Sequence, residues 1–125
     1  MPPLLLVMAG GAIGSGARYL AGVGVTRAMG PGYPYGTLFV NLAGGLLMGL
    51  LVGGLARADV AGEPWRLLLG VGVLGGFTTF SSFSLETYML LARGEVATAA
   101  GYIILSVVAS VAMLALGIHT VRALA

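Results

Sequence analysis

Almost the whole chain is taken up by four apolar runs of membrane-crossing length. Pro3–Thr26, Tyr35–Ala56, Trp65–Ala92 and Val96–Val121 each exceed the roughly 20 residues an α-helix needs to cross a bilayer core. Short connections join them: Met29-Gly30-Pro31-Gly32-Tyr33-Pro34, the charged stretch Arg57–Pro64 ahead of Trp65 at an interfacial position, and the turn Arg93-Gly94-Glu95. In hydrocarbon the backbone must satisfy itself, which helices do. The runs therefore predict an all-α membrane protein, residues 1–125 forming a single domain of four transmembrane helices. Only 8% of residues are charged and the mean hydropathy is +1.04, against about 25% charged in soluble domains. No stretch is left over for a catalytic lobe. The first run has no positively charged segment before it, so a retained helix is expected rather than a cleaved signal.

The ionisable residues are few. Six arginines, no lysine and four acids give a formal charge of +2, too small and too scattered for a nucleic-acid surface. There is no cysteine, so disulfides and thiolate chemistry are excluded. Four spans put both termini and the second loop on one side, with Arg57, Arg66 and Arg122. Arg27 and Arg93 fall on the other. The positive-inside rule needs a clear bias to set orientation, and three against two is almost none. Either the rule is weak here, or copies insert both ways and pair antiparallel. Four helices enclose little interior of their own, so the polar residues within the spans favour a dimer or larger assembly.

Those polar residues fall in rows. Gly10, Gly14, Arg18 and Gly22 are spaced by four in the first span and share one helical face. Arg18 is expected either to snorkel to the nearer interface or to line a cationic vestibule for an anion. In the second span Asn41 follows Thr37, and Gly45, Gly49 and Gly53 continue as a ridge on which another helix can touch backbone to backbone. Asn41 suits interhelical hydrogen bonding or, through its NH₂ donors, the lining of a pathway. In the fourth span Tyr102, Ser106 and Ser110 form a ladder of hydroxyls over roughly 12 Å.

The third span is the least regular. Gly75-Gly76-Phe77-Thr78-Thr79-Phe80-Ser81-Ser82-Phe83-Ser84 interrupts its apolar run with paired glycines, five hydroxyls and three phenylalanines. A helix break is expected near 75–79, buried at a helix contact or beside a pathway. Such a break frees carbonyls between Gly75 and Thr78. Carbonyl oxygens suit hard cations, and with no carboxylate adjacent a singly charged ion fits better than a divalent one. In an antiparallel dimer two breaks could meet on the twofold axis and share one ion. Phe80 and Phe83 share a face, and aromatic ring edges carry positive potential that can face an anion. Glu86 is either an interfacial carboxylate or an arginine's partner.

The ten-residue stretch Gly75–Ser84, with Asn41, Arg18 and the Tyr102/Ser106/Ser110 ladder, resembles the CrcB/Fluc family of fluoride channels over essentially the whole chain. Ser82 stands where threonine is expected in many members, a change that keeps the hydroxyl. The resemblance implies a dual-topology antiparallel homodimer with two fluoride pores, passing fluoride passively out across the bacterial inner membrane and so conferring fluoride resistance. It implies that Phe80 and Phe83 turn ring edges toward fluoride. Asn41, Thr79, Ser81, Tyr102, Ser106 and Ser110 would line or support the polar track, and Arg18 would belong to the vestibule. It also implies a central structural Na⁺ at the dimer interface, held by the backbone carbonyls of Gly75 and Thr78 from both subunits.

Rival readings meet specific obstacles. A small proton-coupled drug exporter of similar length relies on a carboxylate within its first helix, and this first span has none. An intramembrane hydrolase using Ser81 or Ser84 needs a base, but the single histidine, His119, lies at the far end of another span and Glu86 is poorly placed for both serines. No enzymatic activity is expected. A purely structural membrane subunit would explain the glycine ridges but not the hydroxyl ladder beside phenylalanines.

Overall fold

The computed structural model describes residues 2–58 and 63–124 of the chain. The centre of the charged loop, residues 59–62, lies outside the described residues. Helix α1, Pro3–Met29, starts on the Pro2-Pro3 pair, where a missing N–H costs nothing. It ends at Gly30, whose φ of 88° needs a glycine and whose N–H donates to Thr26 O at 2.8 Å. Helix α2 runs Tyr35–Ala58.

The third span, Glu63–Ala92, is composite. It opens with the turn α3, Glu63–Trp65, widens into a π-helix, π1, over Arg66–Leu74, and returns to α-helix as the single turn α4, Gly75–Phe77. Thr78 and Thr79 are extended (φ/ψ −83°/159° and −150°/119°), and helix α5 then runs Phe80–Ala92. Thr79 caps α5, its hydroxyl accepting from Ser82 N–H at 3.2 Å, the ordinary use of threonine at a helix start. At the far end Gly94, with φ 79°, turns the chain into α6, Val96–Ala123. Four helical spans are long and apolar enough to cross a membrane.

The packing is backbone against backbone. The Gly10/Gly14 face of α1 lies on π1: a methyl at Gly72 would sit 2.9 Å from Gly10 Cα, and one at Gly14 would collide with Val73 O. The Gly45/Gly49/Gly53 ridge of α2 lies on α6 in the same way. A Cβ at Gly45 would meet Ser110 O at 2.7 Å, and one at Gly49 would run into Leu114 O. These approaches place the hydroxyl row of α6 against the Asn41 face of α2. The small buried core is Phe83, Leu90, Ala99 and Tyr102, with Tyr33 and Leu38 packed against it.

Paired glycines are not where helicity lapses. Gly75 and Gly76 are helical, and a methyl on Gly76 would lie 2.8 Å from Gly11 O. They let α4 press onto α1. The extended residues come after them, at Thr78 and Thr79.

Candidate functional site

The extended pair is held open from another helix. Thr79 N–H donates to Asn41 Oδ1 at 2.8 Å, and Asn41 Nδ2 donates to Thr79 O at 3.1 Å. One side-chain amide thus takes both polar groups of the Thr79 peptide, as a neighbouring strand would. The consequence reaches two carbonyls. In a continuous helix Gly75 O would accept from Thr79 N–H and Thr78 O from Ser82 N–H. Those two donors are taken by Asn41 and by the Thr79 hydroxyl. Gly75 O and Thr78 O are therefore released from helical bonding, while Thr78 N–H and Oγ1 remain bound back to Leu74 O at 3.1 Å each.

Two clefts flank this point, each of about 410 Å³. Thr79 lines both. The first runs between α2, α5 and α6 and is lined by Asn41, Thr78, Phe80, Phe83, Ser106 and Ser110, with apolar side chains such as Met48 and Leu114. The second runs along α1 and α2 and is lined by Arg18, Thr26, Arg27, Thr37 and Ser82 among others.

Of the hydroxyl ladder, Ser106 and Ser110 line the first cleft and Tyr102 does not. Tyr102 is fully buried and Ser106 nearly so, and Tyr102 Oη and Ser106 Oγ have no hydrogen-bond partner among the described residues. Orphaned hydroxyls cost about 1–3 kcal/mol each, so a site that keeps two of them calls for an explanation. Ser110 lines the same cleft one turn further on. Above Tyr102 the Tyr33 ring stacks edge-on at 5.6 Å between centroids, and below it Phe83 lies at 5.2 Å.

The two phenylalanines differ sharply. Phe83 is 9% exposed, against Tyr102, whereas Phe80, with its ring 5.5 Å from that of Phe83, is 77% exposed. Hydroxyls of the same stretch also divide. Ser84 bonds back to Phe80 O, and Thr87 beyond it to Phe83 O, which is self-satisfaction within a helix. Ser81 is exposed, stands 3.3 Å from the Thr79 hydroxyl and lines neither cleft.

Arg18 does not reach for an interface. Its Nε donates to Gly76 O at 3.1 Å, across to the third span, and its side chain lines the second cleft. Glu86 accepts from the Thr37 hydroxyl; no arginine pairs with it, and the ion pairs among the described residues are Arg66–Glu63 and Arg93–Glu95. The Thr37–Glu86 contact was open to inference, because a carboxylate within a span demands a partner and Thr37 is one helical turn from Asn41. Ser82, part of the Gly75–Ser84 stretch, and Arg27, which carries no distinguishing signal in the sequence, also line the second cleft. No group of three His, Cys, Asp or Glu able to hold a metal exists among the described residues.

Comparison with known proteins agrees with this geometry. The family described as CrcB-like protein, Camphor Resistance (CrcB), matches residues 5–118. Proteins named fluoride-specific ion channel FluC from Caulobacter vibrioides (strain NA1000 / CB15N) and Phenylobacterium zucineum (strain HLK1) are each 55% identical over 123 residues, covering 98% of this chain and 97% of theirs. One of the same name from Sphingopyxis alaskensis is 49% identical over 124 residues, covering 99% of this chain and 98% of its own. The match is nearly end to end, so the whole four-span architecture and both clefts fall within it, and the chain belongs to the CrcB-like protein family.

Proposed function

We propose that the protein is a fluoride-selective channel that lets fluoride leave a bacterial cell passively across the inner membrane, and so protects against fluoride toxicity. The observation that carries this reading is the pair of unpartnered buried hydroxyls, Tyr102 Oη and Ser106 Oγ, beside a cleft lined by Asn41, Phe83 and Ser110. Full-length relatives that bear the name fluoride-specific ion channel support it. Fluoride is small and strongly hydrated, so a passage must replace water's hydrogen bonds with donors of its own. The hydroxyls of Tyr102, Ser106 and Ser110 and the remaining N–H of Asn41 are such donors. None carries a fixed charge, and conduction requires that binding be weak enough to let go. The rings of Phe80 and Phe83 offer positive edges to the same anion. Thr79 and Ser81 support the track at its bend, and Arg18 attracts the anion into the second cleft. As a multi-pass channel the protein would catalyse no reaction.

The functional unit in this reading is an antiparallel, dual-topology homodimer with two pores. Phe80 motivates it: a ring 77% exposed beside the helix interruption suits a partner's surface, and the spans bury only 11–22% of their most apolar windows within one protomer. The interruption of the third span would then serve a cation. Gly75 O and Thr78 O, relieved of their helical donors, are hard oxygen ligands suited to Na⁺. Four of them from two subunits would hold one structural ion at the interface, where it would supply a fixed positive charge tying the two interruptions together.

A proton-coupled drug exporter has no support from the relatives, and α1 offers no carboxylate for proton exchange. The deciding experiment is fluoride-electrode recording from liposomes that hold the purified protein and a fluoride load. Rapid release without an imposed pH gradient is expected. Release no faster than from protein-free liposomes, or release only when a pH gradient is applied, would overturn the proposal.

A further inference from the structure

We infer that Arg27, at the outer end of the second cleft, is a capture residue that governs how fast anions enter the pathway from dilute solution. This rests on the channel reading above. The cleft is lined by Arg18 towards the middle of α1 and Arg27 towards its end, with hydroxyls of Thr26, Thr37 and Ser82 between the walls, and no Asp or Glu lines it. The two arginines are nine residues apart, about 13.5 Å along the helix axis.

Their roles divide by what else they touch. Arg18 is tied to Gly76 O, at the inner end. Arg27 is exposed and, among the described residues, makes no side-chain hydrogen bond or ion pair. The acids among the described residues are accounted for: Glu95 is held by Arg93, Glu63 by Arg66 at the opposite end of the bundle, and Glu86 stands behind the Thr37 hydroxyl that donates to it. Glu86, on α5, is thus the one acidic group among the described residues that touches a cleft-lining side chain, Thr37. Two cations outnumber it. A cleft lined by one sign of charge, with low-dielectric walls, concentrates counterions and raises their entry rate by about 10- to 1000-fold in favourable cases. The exposed outer charge acts at long range and is screened by salt, whereas the half-buried inner one acts at contact and is screened much less.

The test is the initial rate of fluoride release at subsaturating fluoride from phosphatidylcholine liposomes, which carry no net lipid charge. It is measured at ionic strengths of about 0.01 M and about 1 M, where the screening length is about 30 Å and about 3 Å. Arg27→Gln is expected to slow release about threefold to tenfold at low salt and to match the parent at high salt, while Arg27→Lys behaves as the parent throughout. The ratio of the two rates within one variant cancels differences in the amount of active protein. The half-saturating fluoride concentration should rise in Arg27→Gln with the maximal rate unchanged. A low-to-high-salt ratio in Arg27→Gln equal to the parent's would overturn the inference, as would an Arg27→Lys variant as slow as Arg27→Gln. Parent protein that releases no fluoride at either salt would instead overturn the channel reading itself.

Discussion

Removing the amide of Asn41 should collapse the interruption in the third span. Asn41→Ala deletes two hydrogen bonds, of 2.8 and 3.1 Å, and leaves Thr79 N–H without its acceptor. A buried backbone group left without a partner costs about 1–3 kcal/mol, and that cost falls on Thr79 N–H, because Thr79 O at the cap of α5 keeps the first intrahelical donor. Interhelical hydrogen bonds in membranes average only about 0.6 kcal/mol, because the competing states find other partners. The larger figure applies to the Thr79 N–H, whose acceptor is Asn41 Oδ1 for as long as Thr79 stays extended at the cap of α5. Against total stabilities of roughly 5–15 kcal/mol this is a measurable loss. Unfolding of the purified protein in detergent, titrated with SDS and followed by circular dichroism, would read it. Asn41→Asp keeps an acceptor for Thr79 N–H, so it should retain more stability than the alanine variant. It also sets an acid beside the anion's route, so fluoride release should fall although the protein is folded. If Asn41→Ala unfolds within about 0.5 kcal/mol of the parent, below the cost of even one stranded group, the claim that Asn41 holds the interruption open is wrong.

Other outcomes follow from the same geometry. Gly49→Ala drives a methyl into Leu114 O and should cost about 1–3 kcal/mol, whereas Gly54→Ala in the same helix meets nothing within 4 Å and should be neutral in the same unfolding assay. Phe80→Ile should slow fluoride release while leaving protomer stability nearly unchanged, since the ring is largely exposed. Phe83→Ile should lower stability as well, because that ring packs on Tyr102; equal stability losses in the two variants would contradict this division. Replacing sodium by a large organic cation throughout purification should reduce fluoride release and loosen the dimer, read by cross-linking. Undiminished release without sodium would count against carbonyl ligation at Gly75 and Thr78.

How far the fold was legible in the sequence depends on the range of the interaction concerned. The four spans follow from hydropathy alone, because bilayer thickness dictates their length. Spacing by four at Gly45, Gly49 and Gly53 announces a face for close backbone contact, but it does not name the partner, which is α6 through Ser110 and Leu114. The third span was harder. Gly75 and Gly76 have low helix propensity, yet both are helical because they pack on α1, and helicity lapses at Thr78 and Thr79, where Asn41 arrives from 38 residues away. No local pattern carries that bond. The π-helical widening over Arg66–Leu74 is equally silent in a run of leucine, valine and glycine. Among the candidate residues, Asn41, Thr79, Phe80, Phe83, Ser106 and Ser110 meet at one cleft and Tyr102 lies buried beside it, because helical periodicity sorts them onto facing stripes. Arg18 belongs to the second cleft. Ser81 lines neither cleft, though its hydroxyl lies beside that of Thr79, since alternation of phenylalanine and hydroxyl within one helix spreads side chains around its axis.

The central claim is that the orphaned hydroxyls of Tyr102 and Ser106 exist for the anion and not for the fold. Removing both in Tyr102→Phe/Ser106→Ala separates the two roles, because neither oxygen makes a well-aligned hydrogen bond among the described residues: the Thr37 hydroxyl beside Tyr102 Oη donates to Glu86. Fluoride release from liposomes, measured beside SDS unfolding of the same preparation, is the direct test. Release several-fold slower than the parent's, from a protein at least as stable, is the predicted result. Full-rate release, or a protein markedly less stable than the parent, would contradict it.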